Sequence, residues 1–347
     1  VMTNPAPIYP QGGKWTFTEE LQLQGRTADD RLTWQIGGYL ERSQPVAGIN
    51  GQEQWTEIFS RCTDVYQFQC TPLAFGPTTI VGNLGVARNT YFYRNEGVYA
   101  QATFKFTDQL SLTAGIRNTW DWQKKYGENV RITPSPTGAV AFACSRAQTP
   151  ANPGPELLYN RACTRTFVEK SSEPTWLINL DYKPNDDIMI FAKYARGYRG
   201  GGINEANFGA ETWAPEFIDN YELGIKTSFR GAVSGFFNLT GFWNDFSDQQ
   251  ASVFIPQCTA NIPGCTNPAP TGINGIQNIG KSRLRGIEAD GALSFGDLRL
   301  EVGYAYLDAK VQGGSVPFCD NTRFICSAAS FLEAGTILPF APKHRVT

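Results

Sequence analysis

Between Asn95 and Trp122 the chain alternates with a period of two around a short polar turn. Val98, Ala100, Ala102, Phe104 and Phe106 fall on one side, and Tyr99, Gln101, Thr103 and Lys105 on the other. After Thr107-Asp108-Gln109, Leu110, Leu112, Ala114 and Ile116 alternate with Ser111, Thr113, Gly115 and Arg117. Successive side chains of a strand point to opposite faces, so this pattern predicts a β-hairpin. Each arm reaches about ten residues or more, beyond the usual soluble strand. A soluble sheet would bury the apolar side, whereas a membrane barrel would turn it to lipid and line its lumen with the polar side. A Lys or Arg facing lipid at mid-bilayer costs about 2–4 kcal/mol. Lys105 and Arg117 both lie on the polar side, so this hairpin alone fits either arrangement.

The same pattern recurs along the 347 residues. Trp15 to Arg26 alternates and turns at Thr27-Ala28-Asp29-Asp30 into Leu32, Trp34, Ile36, Gly38 and Leu40. Trp176, Ile178, Leu180 and Tyr182 turn through Lys183–Asp187 into Ile188, Ile190, Ala192 and Tyr194, where Met189 and Phe191 leave both sides apolar. Tyr221, Leu223, Ile225 and Phe229 turn at Arg230-Gly231-Ala232 into Phe237, Leu239 and Trp243. A strand ending in Ile287 and Ala289 turns at Phe295-Gly296-Asp297 into Leu298, Leu300, Val302, Tyr304 and Tyr306. This makes about ten strands in about five hairpins.

Connections alternate between roughly three to five residues and roughly 20 to 50, the latter far beyond ordinary loops. Ser43 to Phe92 and Gln123 to Glu173 read as long non-repetitive segments. A soluble sandwich has no reason for every second connection to be long. An outer-membrane barrel does, having short periplasmic turns and long extracellular loops. Phe104, Phe106, Tyr182, Phe229 and Phe295 gather near short turns, and Trp120, Trp122 and Trp243 near long loops, as two interfacial girdles would. The expected fold is therefore an all-β, transmembrane antiparallel β-barrel.

Composition agrees. No window approaches the roughly 20 apolar residues of a transmembrane helix. A net charge of −2 gives a nucleic-acid partner no electrostatic support. The first residues show no charged stretch followed by an apolar one, so no signal peptide is expected here. The eight cysteines fall into local pairs, Cys62 with Cys70, Cys144 with Cys163, Cys258 with Cys265 and Cys319 with Cys326, each inside one long connection. Disulfides would place these loops in an oxidising compartment, and free thiols are the alternative. None has CxxC spacing and the one histidine is His344, so no metal site and no cofactor is expected.

Several phrases at the strand ends, FTEELQLQG (17–25), LTWQIGGYL (32–40), LSLTAGIRNTWD (110–121), FAKYARGYRGGGIN (191–204), PEFIDNYELGIKTSF (215–229), LRGIEADGAL (284–293) and LPFAPKHRV (338–346), resemble TonB-dependent outer-membrane receptors in that family's order. The resemblance implies a barrel of about 22 strands with a plugged lumen. It also implies active import of a scarce nutrient such as an iron-siderophore, driven by TonB, in the bacterial outer membrane. Residues 1–347 then form a partial barrel domain, with the plug that TonB engages expected on another part of a longer chain. A passive porin and a structural or adhesive surface barrel remain as alternatives.

No catalytic constellation is evident, so an enzyme is not expected. Gly197 to Gly202 lacks the βαβ setting of a phosphate loop and reads as a bend near the rim. Asn238-Leu239-Thr240 lies inside a strand and is discounted as a glycosylation site. Glu222, Lys226 and Glu288 are read as lumen-facing charges. Ligand contacts are expected from the loops and upper lumen. Trp55, Arg88, Arg196, Tyr198, Arg199 and Trp213 are the candidates, because Arg binds anionic chelates and aromatics stack on flat ligands.

Overall fold

The structure is a computed structural model that describes residues 2–4, 13–27, 29–46, 52–58, 60–64, 67–75, 78–80, 82–134, 139–144, 150–151, 153–158, 160–204, 211–257, 271–320 and 325–347. Ten long strands occur where the alternation places them. They are β1 (Lys14–Arg26), β2 (Leu32–Pro45), β3 (Asn83–Lys105), β4 (Leu110–Pro134), β5 (Thr164–Asn185), β6 (Ile188–Arg199), β7 (Glu216–Phe229), β8 (Val233–Ser247), β9 (Gly280–Phe295) and β10 (Leu298–Asp320). A short β11 (His344–Val346) follows. Each strand pairs with the next in chain order, and from β5 to β11 every pairing is antiparallel. The β3–β4 turn closes through the Phe106 N–H on the Leu110 carbonyl at 2.9 Å. The chain is an all-β antiparallel meander of barrel type.

The strands run further than the alternation does. β3, β4, β5 and β10 reach 23, 25, 22 and 23 residues. The segments 43–92 and 123–173, expected to be non-repetitive, carry strands of their own at Gln52–Ile58, Ser60–Asp64, Gln69–Phe75, Thr78–Ile80 and Val140–Cys144. The physical reason is that backbone pairing needs no period-two hydrophobicity. That pattern is imposed only where one face must be apolar and the other wet.

The chain divides into two compact units. The first comprises Val1–Thr18, Glu41–Arg94 and Trp122–Glu169. It holds a conventional core in which Leu84, Val86, Val130, Ile132, Leu157 and Leu158 are essentially inaccessible. A 3-10 turn, Pro155–Leu158, sets the two leucines into it. The Cys144–Cys163 disulfide closes around that turn. Cys62 is disulfide-bonded and its backbone stands opposite Cys70. Cys319 and Cys326 are likewise opposite in register, while Cys258 and Cys265 lie outside the described residues.

The second unit comprises Glu19–Leu40, Asn95–Asp121 and Lys170–Thr347. It inverts the usual arrangement, with its large apolar side chains on the surface. Leu21 is 79% exposed, Leu223 64%, Val302 62% and Phe295 63%. Val98, Ile116, Ile178, Phe237, Leu239 and Ile287 join them. A continuous exposed apolar face of this extent is far beyond what water tolerates on a monomer, and it is what a lipid-facing band requires. The register makes the band a grid. Across β6 to β10, one row reads Ala192, Leu223, Gly241, Ile287 and Tyr306, and the next reads Ile190, Ile225, Leu239, Ala289 and Tyr304. Phe104, Phe106, Tyr182, Phe229 and Phe295 are exposed by the short turns and Trp120 by the other end, while Trp122 and Trp243 are half-buried.

Candidate functional site: the inward face of the second unit

The faces opposite the apolar grid carry polar side chains that meet across strands. Thr103 and Thr113 share a hydrogen bond at 2.8 Å. Lys193 pairs with Glu222 at 2.9 Å, the two residues standing opposite each other on β6 and β7. Phe191, whose side was ambiguous in the sequence, lies against Gly224, and the Lys226 ammonium sits 5.6 Å from its ring centroid. Lys226, Glu222 and Glu288 thus fall on the inward side, as their alternation predicts.

The densest inward cluster involves β1 to β4. The Arg117 guanidinium lies 5.6 Å from the Tyr39 ring centroid and 5.9 Å from that of Tyr99. Its Nε donates to Thr119 Oγ1 at 2.9 Å. The Tyr99 hydroxyl donates to Glu20 Oε1 at 2.7 Å and accepts from Gln22 Nε2 at 2.6 Å. Glycines make this geometry possible. A Cβ on Gly37 would stand 2.5 Å from the Tyr99 ring, and one on Gly97 would stand 2.7 Å from the Arg117 guanidinium. With hydrogen in those places, the tyrosine and arginine lie flat over the neighbouring backbone. Glu20, Gln22, Tyr99, Arg117 and Thr119, with Thr175 and Asn220, border a cavity of about 720 Å³. Chemically it offers the Arg117 cation, fixed between two phenol faces with a carboxylate beside them and with Arg196 also on its wall, suited to an anionic, partly aromatic group.

A second cluster sits near the ends of β4, β5 and β6. Asp121 accepts from Asn95 Nδ2 at 2.5 Å, from Ser171 Oγ at 3.5 Å, and from the Tyr198 hydroxyl. Beyond it, the Gln250 side-chain amide donates to the Gly200 and Ala214 carbonyls at 2.9 and 3.0 Å. The Asn278 side chain both donates to the Ala214 carbonyl and accepts from its N–H. Two side-chain amides thereby fasten the segment after Arg199 to two shorter strands between β8 and β9, Gln250–Gln257 and Thr271–Asn278.

The six residues expected to contact ligand are distributed as follows. Arg88 is largely buried in the first unit, on Glu128 at 3.2 Å and on the Leu158 carbonyl. Trp55 stands opposite Val86 in the same unit. In the second unit, Tyr198 caps Asp121 and the exposed Arg199 pairs with Glu216 at 3.0 Å. Trp213 packs on Gly202, and its buried indole N–H has no hydrogen-bond partner among the described residues. Arg196 pairs with Asp219 at 2.8 Å and lies over the rings of Trp176 and Phe217. Its register puts it in the column of Tyr194, opposite Asp219, and it also borders the cavity that Tyr99 and Arg117 line. Glu20, Tyr39, Tyr99 and Arg117 were not singled out in the sequence. They come from four strands and only the register unites them.

The chain matches the family profile described as "TonB dependent receptor-like, beta-barrel" across residues 5–347. It belongs to that family. TonB-dependent receptors are outer-membrane β-barrels that serve transport. Among solved structures, the ferric yersiniabactin uptake receptor FyuA from Yersinia pestis is similar with a TM-score of 0.56 at 12% identity, over 96% of this chain and 39% of that one. The siderophore receptor PiuA from Acinetobacter baumannii is similar with a TM-score of 0.56 at 20% identity, over 96% and 43%. At these identities the likeness concerns the fold, and the chain spans less than half of either structure. Membership in the TonB-dependent family accounts for the outward apolar grid and for the polar inward face.

Proposed function

We propose that the protein containing this chain imports a scarce nutrient, in the leading case an anionic iron chelate, across the outer membrane, with TonB acting through a plug. The observation that carries this reading is Arg117 held between Tyr39 and Tyr99 at an inward cavity of about 720 Å³. A guanidinium flanked by aromatic faces favours a flat, negatively charged ligand over a neutral solute. FyuA and PiuA, whose names refer to ferric yersiniabactin and to siderophores, point to the same class. Tyr198, Arg199 and Trp213 are proposed as a second set of contacts nearer the loops.

The test is uptake by a deletion strain complemented with the full-length gene, using a panel of iron-labelled chelates, vitamins and glycans. Uptake of at least one iron chelate should require the gene and TonB, and should fall with Arg117→Ala. Uptake that persists without TonB would favour a passive porin. No uptake phenotype on deletion would favour a structural or adhesive barrel.

A further inference from the structure

Where the outward apolar columns end, they end in charge. On β10, Leu298, Leu300, Val302, Tyr304 and Tyr306 are followed by Asp308 and Lys310 on the same side. On β9, Phe295, Leu293 and Ile287 are followed by Arg285 and Arg283. On β8, Trp243 is followed by Asp245. The apolar run on β10 covers about nine residues, the length a tilted strand needs to cross a bilayer. The register then sets Asp245 opposite Arg283 and Arg283 opposite Lys310, and sets Trp243 opposite Arg285 and Arg285 opposite Asp308. These charges therefore stand at the outer edge of the lipid-facing surface, at the end bearing the long loops.

The ion pairs there are lopsided. Arg285 Nη2 and Lys310 Nζ both bind Asp308, at 3.1 and 2.9 Å. The Asp308 side chain is only 11% exposed, while Arg285 is 49% and Lys310 39% exposed. One tucked carboxylate thus underlies two cations that face outward, leaving an uncompensated positive charge. Arg283 and Arg285 both lie over the Trp243 ring, at 4.4 and 5.2 Å from its centroid, which fixes their direction. Directly beneath is a groove of about 590 Å³. Its floor is Gly241, where a Cβ would meet nothing closer than 3.9 Å, and its walls are Leu223, Ile287, Trp243 and Tyr306. A positive rim directly above an apolar groove has the polarity of a single amphiphile.

We propose that this outward surface binds a phosphate-bearing lipid of the outer leaflet, its phosphate on Arg285 and Lys310 and an acyl chain in the groove over Gly241. The charge excess selects the anionic head, because each contact is a charge-assisted hydrogen bond. The groove sits on the apolar grid, which selects a lipid rather than a soluble anion.

The experiment uses the full-length receptor in detergent and native mass spectrometry. The probes are a diphosphorylated lipid A, its dephosphorylated form and inorganic phosphate. Wild type should retain the phosphorylated lipid, and Arg285→Gln with Lys310→Gln should weaken retention by about tenfold or more, as loss of charge-assisted contacts implies. Asp308→Asn removes the neutralising carboxylate and should strengthen retention, so the proposal stays testable if the double variant fails to fold. Equal retention of the dephosphorylated lipid would overturn it, as would displacement by inorganic phosphate. Retention unchanged in folded variants would also overturn it.

Discussion

Gly37 and Tyr99 are in direct opposition: a Cβ on Gly37 would stand 2.5 Å from the phenol ring and 2.9 Å from the Leu21 carbonyl. The carbonyl is backbone and cannot rotate away. Gly37→Ala should therefore destabilise the folded receptor by about 1–3 kcal/mol through overpacking. Its neighbour Gly38 has only a carbonyl at 3.8 Å, so Gly38→Ala should stay within about 0.5 kcal/mol. Urea unfolding in lipid vesicles compares the two.

Depth should be readable from charge substitutions. Leu239 lies midway along the outward column of β8, and Val233 lies at its start. Leu239→Arg should cost about 2–4 kcal/mol and Val233→Arg about 0–1 kcal/mol. Thr240→Arg, on the inward face beside Leu239, should behave like a lumen substitution with a smaller cost than Leu239→Arg. The same unfolding assay ranks the three.

The buried Arg88–Glu128 pair should behave as a unit. The Glu128 side chain is 2% exposed and that of Arg88 12%. Glu128→Ala removes the carboxylate facing a largely buried guanidinium and should cost about 3–5 kcal/mol of local stability. Hydrogen exchange should show Leu84, Val86 and Ile132 losing protection while amides of β7 and β8 keep theirs. Replacing both partners with Leu and Met should recover much of the loss.

Reduction of Cys144–Cys163 frees a loop with a sequence separation of 19, for which chain-entropy arguments give about 3 kcal/mol. Trypsin should then cut after Arg161, two residues before the second cysteine, faster in reduced than in oxidised protein. Equal cutting would show that the Leu157–Leu158 turn holds without its clasp.

The short turn before β2 should respond to acid. Asp29 has its pKa held below the usual carboxylate range, first by the Thr27 hydroxyl and then by the Arg31 N–H. A lowered folded-state value means the contribution is full above the unfolded pKa and is lost as pH falls through the folded one. Exchange protection of the Leu32 amide, which donates to Thr27 Oγ1, should fall in that acidic window. Asp29→Asn should abolish that dependence.

The parts of the fold legible in sequence were those where two solvents act on one strand. Leu298 to Tyr306 and Val98 to Phe106 alternate because lipid and water face opposite sides. Beyond that band both faces meet water or a loop core, as at Val130 and Ile132, so the period fades although the ladder continues. Ile188 to Tyr194 was ambiguous because Phe191 is inward and apolar, which Gly224 alone explains. The Tyr39–Tyr99–Arg117 cluster was hidden because its members meet only through pairing of three strands.

The grid of Leu223, Leu239, Val302 and their neighbours faces lipid. Its most direct test is spin-label accessibility in the full-length receptor in bilayers, with labels along β8 from Gly235 to Trp243. Odd-numbered positions should collide with oxygen and even-numbered positions with a water-soluble nickel chelate. Uniform protection from both reagents, as in a dry core between sheets, would contradict it.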